Sequence, residues 1–250
     1  MFFGYGIVNN HAPILKATVM KIGAAVSSLL TGLYAVYKGE SNANDSLGAY
    51  NGTSQGGLTY TTGKSGNAFT FNGTNAYVDL GNNIFNSFTS DFSVSMWINV
   101  NSVSGNQALF SNLSYHSSNV SNGFFVVLRG NSILFELYKN NNTYEALSTG
   151  GYVSTGTWYN VVVTRKVGTR SRIYVNGTLL NSNASTLNPT YDTSLLPIPS
   201  SIGAWRYDAS NVTNYTNGNI DELNAWNKEL TSTEITDLYN AGTGKFYPTF

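Results

Sequence analysis

The sequence predicts an all-β protein, a sandwich or jelly roll closed by one short helix near its C-terminus. Three observations carry this. About a dozen short runs of apolar and aromatic residues recur at turn-punctuated spacing. No unit of fixed period and no heptad organises them. Polarity comes from Asn, Ser, Thr, Gly and 17 Tyr, while only 10% of the 250 residues are charged, a composition suited to strands joined by many polar turns.

Taken in order, Gly32–Lys38 alternates well enough for a first strand, with Leu33, Ala35 and Tyr37 on one face. Glu40–Gly57 is a polar loop carrying Asp45-Ser46-Leu47-Gly48. Leu58–Lys64 is a short edge segment. Gly66–Gly73 and Ala76–Leu80 flank the turn Asn72–Asn75 and read as paired strands. Asp91–Val100 is the clearest strand. Phe92, Val94, Met96, Ile98 and Val100 share one face, and Ser93, Ser95, Trp97 and Asn99 the other, the pattern of a half-buried antiparallel strand. Gln107–Asn112, Gly123–Arg129 and Ser132–Lys139 follow, the last two as a hairpin across Gly130-Asn131. Trp158–Arg165 precedes Arg172–Leu180, which contains the hairpin signal Asn176-Gly177. Asn181–Pro199 is long, irregular and proline-bearing, and such loops are often functional. Ser201–Trp205 and Gly218–Asn227 are the last strands.

The stretch Gly218–Leu230 combines apolar Ile220, Leu223, Ala225 and Trp226 with Asp221, Glu222 and Asn224. Carboxylates are rare in strands and rarely buried unpaired, so solvent, hydrogen bonds or a metal must compensate this pair. Thr231 and Glu234 have capping-box spacing, and Leu230 with Ile235 can form a hydrophobic staple. A helix over Ser232–Ala241, stopped near Gly242, is expected.

The order of these motifs resembles the laminin-G-like branch of the concanavalin A-like lectin/glucanase superfamily. The matching pieces are Asp45–Gly48, Gly66–Gly73, Tyr77–Leu80, Asp91–Trp97, Thr157–Thr164, Ile173–Gly177, Ile202-Gly203, and Gly218–Leu230 with its helix. They cover most of the chain from Gly32 onward, which sets an N-terminal arm, residues 1–31, apart from a domain at residues 32–250. The resemblance implies a two-sheet antiparallel jelly roll that binds glycans, proteins or sulfated polymers. It also implies one structural calcium, whose contacts would fall on Asp45, the Gly73 carbonyl and Asp221, fastening the first and last strands together.

The superfamily contains glycoside hydrolases, which need two carboxylates facing each other about 5–9 Å apart. Asp221 and Glu222 are the one close acidic pair on a strand, and adjacent strand residues point to opposite faces. The Glu-x-Asp-x-x-Glu pattern of those hydrolases is absent; a cross-strand pair such as Asp79 with Glu136 stays open. Only two histidines exist, His11 and His116, and neither is flanked by a nucleophile motif. The expectation is a binding protein without enzymatic activity. With 13 Lys+Arg against 13 Asp+Glu, the chain lacks the basic surface of a general nucleic-acid binder. With no cysteine, disulfides and Cys-ligated zinc are excluded.

Sugar sites stack ring faces on Tyr or Trp and satisfy hydroxyls with Asn, Asp or Gln. The candidates in loops are Tyr115 beside His116; Tyr191 with Asp192; Trp205, Arg206, Tyr207 and Asp208; and Tyr215. Trp97, Trp158 and Trp226 are expected to pack in the core. The abundant Asn-x-Ser/Thr sequons follow from composition and predict no glycosylation here.

The arm is apolar and aromatic and lacks a leading positive charge, unlike an export signal. Its apolar run is too short and interrupted to span a membrane. The composition and non-signal start look similar to bacteriophage virion proteins. The expectation is a decoration protein on a virion surface, oligomeric within the particle. It would dock on other virion proteins through Phe2, Phe3, Tyr5, Ile14, Leu15 and Val19 and display a lectin-like domain to host-surface glycans. The other reading is a secreted bacterial adhesin or carbohydrate-binding module, with Lys16–Ala25 as an unusual export signal.

Overall fold

The computed structural model describes residues 27–81, 90–116, 120–139, 143–184, 200–206 and 211–250. The docking residues Phe2, Phe3, Tyr5, Ile14, Leu15 and Val19 lie outside these, as do Tyr191, Asp192, Tyr207, Asp208 and the Tyr115 side chain. The strands in chain order are β1 (Leu33–Tyr37), β2 (Thr53–Gln55), β3 (Thr59–Thr62), β4 (Asn67–Asn72), β5 (Tyr77–Asp79), β6 (Phe92–Val100), β7 (Asn106–His116), β8 (Val120–Arg129) and β9 (Ser132–Lys139). They continue as β10 (Thr143–Ser148), β11 (Tyr159–Lys166), β12 (Arg170–Val175), β13 (Thr178–Asn183), β14 (Ser200–Ile202), β15 (Trp205–Arg206), β16 (Val212–Thr213) and β17 (Asn217–Trp226). One α-helix, α1 (Ser232–Tyr239), follows.

Two antiparallel sheets face each other, as expected. The first is ordered β13-β12-β11-β6-β17-β4-β3, with β1 also on β17; the second is β10-β9-β8-β7-β14-β5-β2. Period-two alternation drives the packing. Phe92, Val94, Met96, Ile98 and Val100 of β6 enter one core with Phe69 and Phe71 of β4 and with Phe110, Phe124 and Phe135 of the second sheet. The Phe92 and Phe124 rings lie 4.6 Å apart across the two sheets. Asn176, at φ 51, and Gly177, at φ 73, make the tight turn between β12 and β13, with Val175 opposite Thr178.

The expectation of a solvated outer face on β6 is corrected. Ser93 and Ser95 are buried as deeply as the inner face, and Trp97, expected to pack in the core, is buried beside them. The cause lies far along the chain. Residues 228–230 and α1 lie against this side, and Ser93 Oγ donates to the Lys228 carbonyl at 2.9 Å and accepts from Leu230 N at 2.9 Å. Trp226, Val162 and Tyr174 of the sheet pack with Leu230, Ile235 and Leu238 in a second core, while Tyr239 stacks on Trp97 at 6.0 Å.

The capping box is present in both directions: Thr231 Oγ1 accepts from Glu234 N at 3.2 Å, and Glu234 Oε2 accepts from Thr231 N at 2.9 Å. The helix stops at Tyr239, two residues short of the expected end. Asn240 takes the left-handed conformation (φ 46) and caps it before a 3-10 turn reaches Gly242.

The folded body also begins ahead of the boundary drawn at residue 32. Ser28–Leu30 form a 3-10 turn, Leu29 is fully buried in the second core, and the Leu29 carbonyl accepts from Trp226 Nε1 at 2.7 Å.

Strand β17 positions the acidic pair. One of its edges follows β6; the other pairs with β4 over Asn217–Ile220 and with β1 over Leu223–Trp226. The register breaks between Asp221 and Asn224, where the partner changes, and Glu222 adopts φ 47. The extra residue of this bulge turns the local twist and leaves its neighbours out of the ladder.

Candidate functional site

The strand break is satisfied through Asp221. Its Oδ2 accepts from Lys64 N at 2.7 Å and Ser65 N at 3.0 Å, and its Oδ1 from Glu222 N at 2.8 Å. The carboxylate thereby pins the residue 63–66 loop to the last strand. Burial pushes Asp221 up to about 7, although the three backbone N–H groups pull it down. Burial, with Asp221 and Glu40 adding to it, pushes Glu222 up to about 8 against the pull of Lys38. Glu222 is 1% exposed, and neither of its oxygens has a hydrogen-bond partner among the described residues. A neutral carboxyl is the form this site favours.

The residues expected to share a calcium are not brought together. Asp45 is buried, and four backbone N–H groups saturate its carboxylate: Val36 at 2.9 Å and Leu47 at 3.0 Å on Oδ1, Ala49 at 3.1 Å and Tyr50 at 3.2 Å on Oδ2. It sits opposite Tyr37, itself opposite Leu223, and so lies two strand spacings, about 10 Å, from β17. Gly73 donates to the Thr216 carbonyl at 2.9 Å, five positions from Asp221 and thus about 16 Å along the strand. Calcium ligands lie about 2.5 Å from their ion, so these three do not fit one site. Among the described residues no cluster of three or more His, Cys, Asp or Glu has a metal-binding arrangement. Asp45 and Asp221 each fasten a loop by accepting its backbone N–H groups.

A different site does assemble at one rim of the sandwich. Three connections meet there: the β4–β5 turn, the β6–β7 loop and the residues entering β17. They enclose a cleft of about 360 Å³ lined by Gly73, Ser102, Ser104, Asn106, Gln107, Asn214, Tyr215 and Asn217. None of these carries a charge. Asn72 builds the first connection, its Oδ1 accepting from the N–H groups of Thr74, Asn75 and Ala76 at 3.0–3.1 Å. Gly73 has φ 75, and a Cβ there would lie 2.9 Å from Asn217 Cβ, so only glycine lets the two loops touch.

Gln107 holds the other two connections together. It is 4% exposed. Its Nε2 donates to the Ser102 and Ser104 carbonyls at 2.7 and 3.3 Å, and its Oε1 accepts from Asn217 N at 2.8 Å. Replacing Gln107 with Ala should cost about 2–3 kcal/mol, because three backbone groups lose a partner. Denaturant midpoints check this, and an unchanged midpoint would show that the loops hold without it.

Of the aromatic candidates, Tyr215 belongs to the cleft. It is half-buried, its ring lies 6.3 Å from that of Tyr77, and its hydroxyl donates to the Val212 carbonyl at 3.2 Å. Trp205 and Arg206 lie on the outer face of the second sheet. Trp205 Nε1 donates to the Leu113 carbonyl at 3.2 Å, with its ring 5.5 Å from Phe125. Arg206 pairs with Asp79 at 2.6 Å. Asp79 and Glu136 do share this face, in one row through Ser201, Ser111 and Phe125. Four strand spacings separate them, about 19 Å, well beyond the reach of a hydrolase pair. No sequence pattern marks Asn106, Gln107 or Asn217 in a chain this rich in amides; their positions at the ends of strands are the one available signal.

The family model Laminin_G_3, described as concanavalin A-like lectin/glucanases superfamily, matches residues 72–236. Human adhesion G-protein coupled receptor D1 is 34% identical over 137 residues, which is 53% of this chain and 14% of that protein. Its counterpart from Bos taurus is 32% identical over 140 residues, again 14% of its length. Among solved structures, domain 4 of AbnA, an extracellular arabinanase from Geobacillus stearothermophilus in complex with arabinotriose, superposes with a TM-score of 0.64. The two are 21% identical, and the match covers 82% of this chain and 97% of that one. The binding domain of Paraclostridial Mosquitocidal Protein 1 gives 0.67 at 18% identity, covering 85% and 52%. The receptor binding domain of botulinum neurotoxin C/D mosaic serotype gives 0.61 at 21% identity, covering 84% and 51%. These similarities establish a shared fold.

Proposed function

The chain belongs to the laminin-G-like family of the concanavalin A-like lectin/glucanases superfamily, and on that premise we propose that it is a recognition module whose rim cleft binds a carbohydrate. The observation that carries this is the lining: amides, hydroxyls and one half-buried tyrosine, with no charged group, joined from three separate connections. Amides and hydroxyls match sugar hydroxyls, and an aromatic ring matches the apolar face of a sugar. The relatives lend support, since one is a domain in complex with arabinotriose and others are toxin binding domains. The two acidic pairs that the sequence raises do not support a hydrolase reading: Asp79 is paired with Arg206, Glu136 with Arg129, and Asp221 and Glu222 are buried.

Tyr215→Ala should weaken glycan binding about tenfold, the value of one stacking contact. Titration of arabinotriose and a printed glycan panel against the whole chain measures it. An unaffected Tyr215→Ala, or a panel with no bound glycan, would sink the assignment.

The wider setting we infer is a particle or cell surface, with residues 1–26 docking the module on a larger assembly such as a bacteriophage virion. Leu29 is buried against Trp226, which ties the chain just after this segment to the domain. Removing residues 1–26 should abolish assembly and leave the melting temperature unchanged. A mature protein starting just after Ala24 or Ala25 in a secreted fraction would favour the adhesin reading instead.

A further inference from the structure

The amides of the cleft do not face it at random. Asn106 heads β7 directly opposite Arg129 of β8, and its Oδ1 accepts from Arg129 Nε at 3.1 Å. A guanidinium has donors and no acceptor, so this contact fixes the amide: oxygen toward Arg129, Nδ2 away from it. Arg129 is fixed in turn. Its Nη2 lies 3.1 Å from Glu136 Oε1, and Glu136 Oε2 accepts from Tyr138 Oη at 2.9 Å. The Glu136 side chain is 5% exposed, so the relay is anchored on a buried carboxylate.

Gln107 and Asn217 follow the same polarity. Gln107 Oε1 is taken by Asn217 N, and Asn217 Oδ1 accepts from Asn101 Nδ2 at 3.2 Å. Three acceptor oxygens of the lining are thus used within the protein. The Nδ2 groups of Asn106 and Asn217 remain as donors, beside the hydroxyls of Ser102 and Ser104. Among the described residues no cation lines the cleft to offset an anion, and Arg129 is matched by Glu136.

We propose that the cleft reads its ligand by donating hydrogen bonds, that Arg129 and Glu136 are positioning residues for the Asn106 amide, and that the ligand is an uncharged oligosaccharide held by its hydroxyl and ring oxygens. This rests on the carbohydrate-binding reading of the same cleft.

Asn106→Asp tests it. The carboxylate keeps its oxygen on Arg129 and gains charge there, so the fold is retained, yet the group turned to the ligand changes from donor to acceptor. The whole chain, as wild type, Asn106→Asp, Arg129→Ala, the Asn106→Asp/Arg129→Ala double variant and Tyr215→Ala, is applied to a printed panel of neutral, sialylated and sulfated glycans. The expected result is retention of neutral glycans by the wild type and at least tenfold weaker retention by Asn106→Asp. Arg129→Ala should weaken binding several-fold alone and add nothing to Asn106→Asp, as a residue acting through another must. Wild-type binding with an indifferent Asn106→Asp, or strongest retention of sialylated or sulfated glycans, would overturn this inference alone. A silent panel, or binding that ignores Tyr215→Ala, would overturn the carbohydrate reading beneath it.

Discussion

Asp45→Asn is expected to lower the stability of the domain by about 3 kcal/mol. The carboxylate accepts four backbone N–H bonds, from β1 and from the loop that follows it. An amide offers one oxygen in place of two and turns an NH2 group toward two N–H donors. Two backbone groups then lose their acceptor in a buried place, each at about 1–3 kcal/mol, and the remaining bonds lose the assistance of charge. The same variant separates a loop staple from a calcium ligand. If Asp45 works through backbone N–H groups, the gap between wild type and variant is the same in EDTA and in calcium. A wild type that drops to the level of Asp45→Asn in EDTA would put a cation back on this residue. Chemical denaturation in both buffers reads the difference, and a gap below about 1 kcal/mol would show that the loop is held by its other contacts.

The contrast between Asp45 and β6 marks how far the linear sequence reaches. Strand periodicity is a local property, so Phe92–Val100 and the Asn176-Gly177 turn were legible, as was the Thr231/Glu234 capping box. The burial of Ser93 was not, because its cover is supplied by residues 228–230, more than a hundred positions away; Trp97 was expected in the core, but not that Tyr239 would cover it. Strands of two or three residues, such as β2 and β16, are too short to show a period. Asp45, Gly73 and Asp221 fall in the right order along the chain, yet register sets Gly73 beside Thr216 and Asp221 beside the residue 63–66 loop. Order in sequence carries no distance across a sheet. The cleft was half legible. Tyr215 stood out as a loop aromatic, whereas Asn106, Gln107 and Asn217 became a site only when three connections converged.

Glu222 carries the second large expected effect, and its sign follows from burial. Burial pushes its carboxyl up to about 8 in the folded protein from an ordinary value of 4.5, and that of Asp221 beside it up to about 7 from 3.8. The folded state therefore holds protons that the unfolded state has already released. Stability is fully present below the unfolded values, falls as pH rises from about 4.5, and levels off above about 8. A shift of this size corresponds to a loss on the order of 3–5 kcal/mol across that window for Glu222. Glu222→Gln keeps the shape and φ 47 backbone of the neutral acid and removes its ionisation. The variant should match the wild type near pH 5 and exceed it by about 3 kcal/mol near pH 9, with a flatter profile between. Asp221 keeps its three backbone N–H bonds in both proteins, and the residual slope of the variant reports on it. Unfolding free energies measured from pH 5 to 9 decide the matter. Parallel profiles would mean that Lys38, the cation that opposes the shift, holds Glu222 ionised in the folded state.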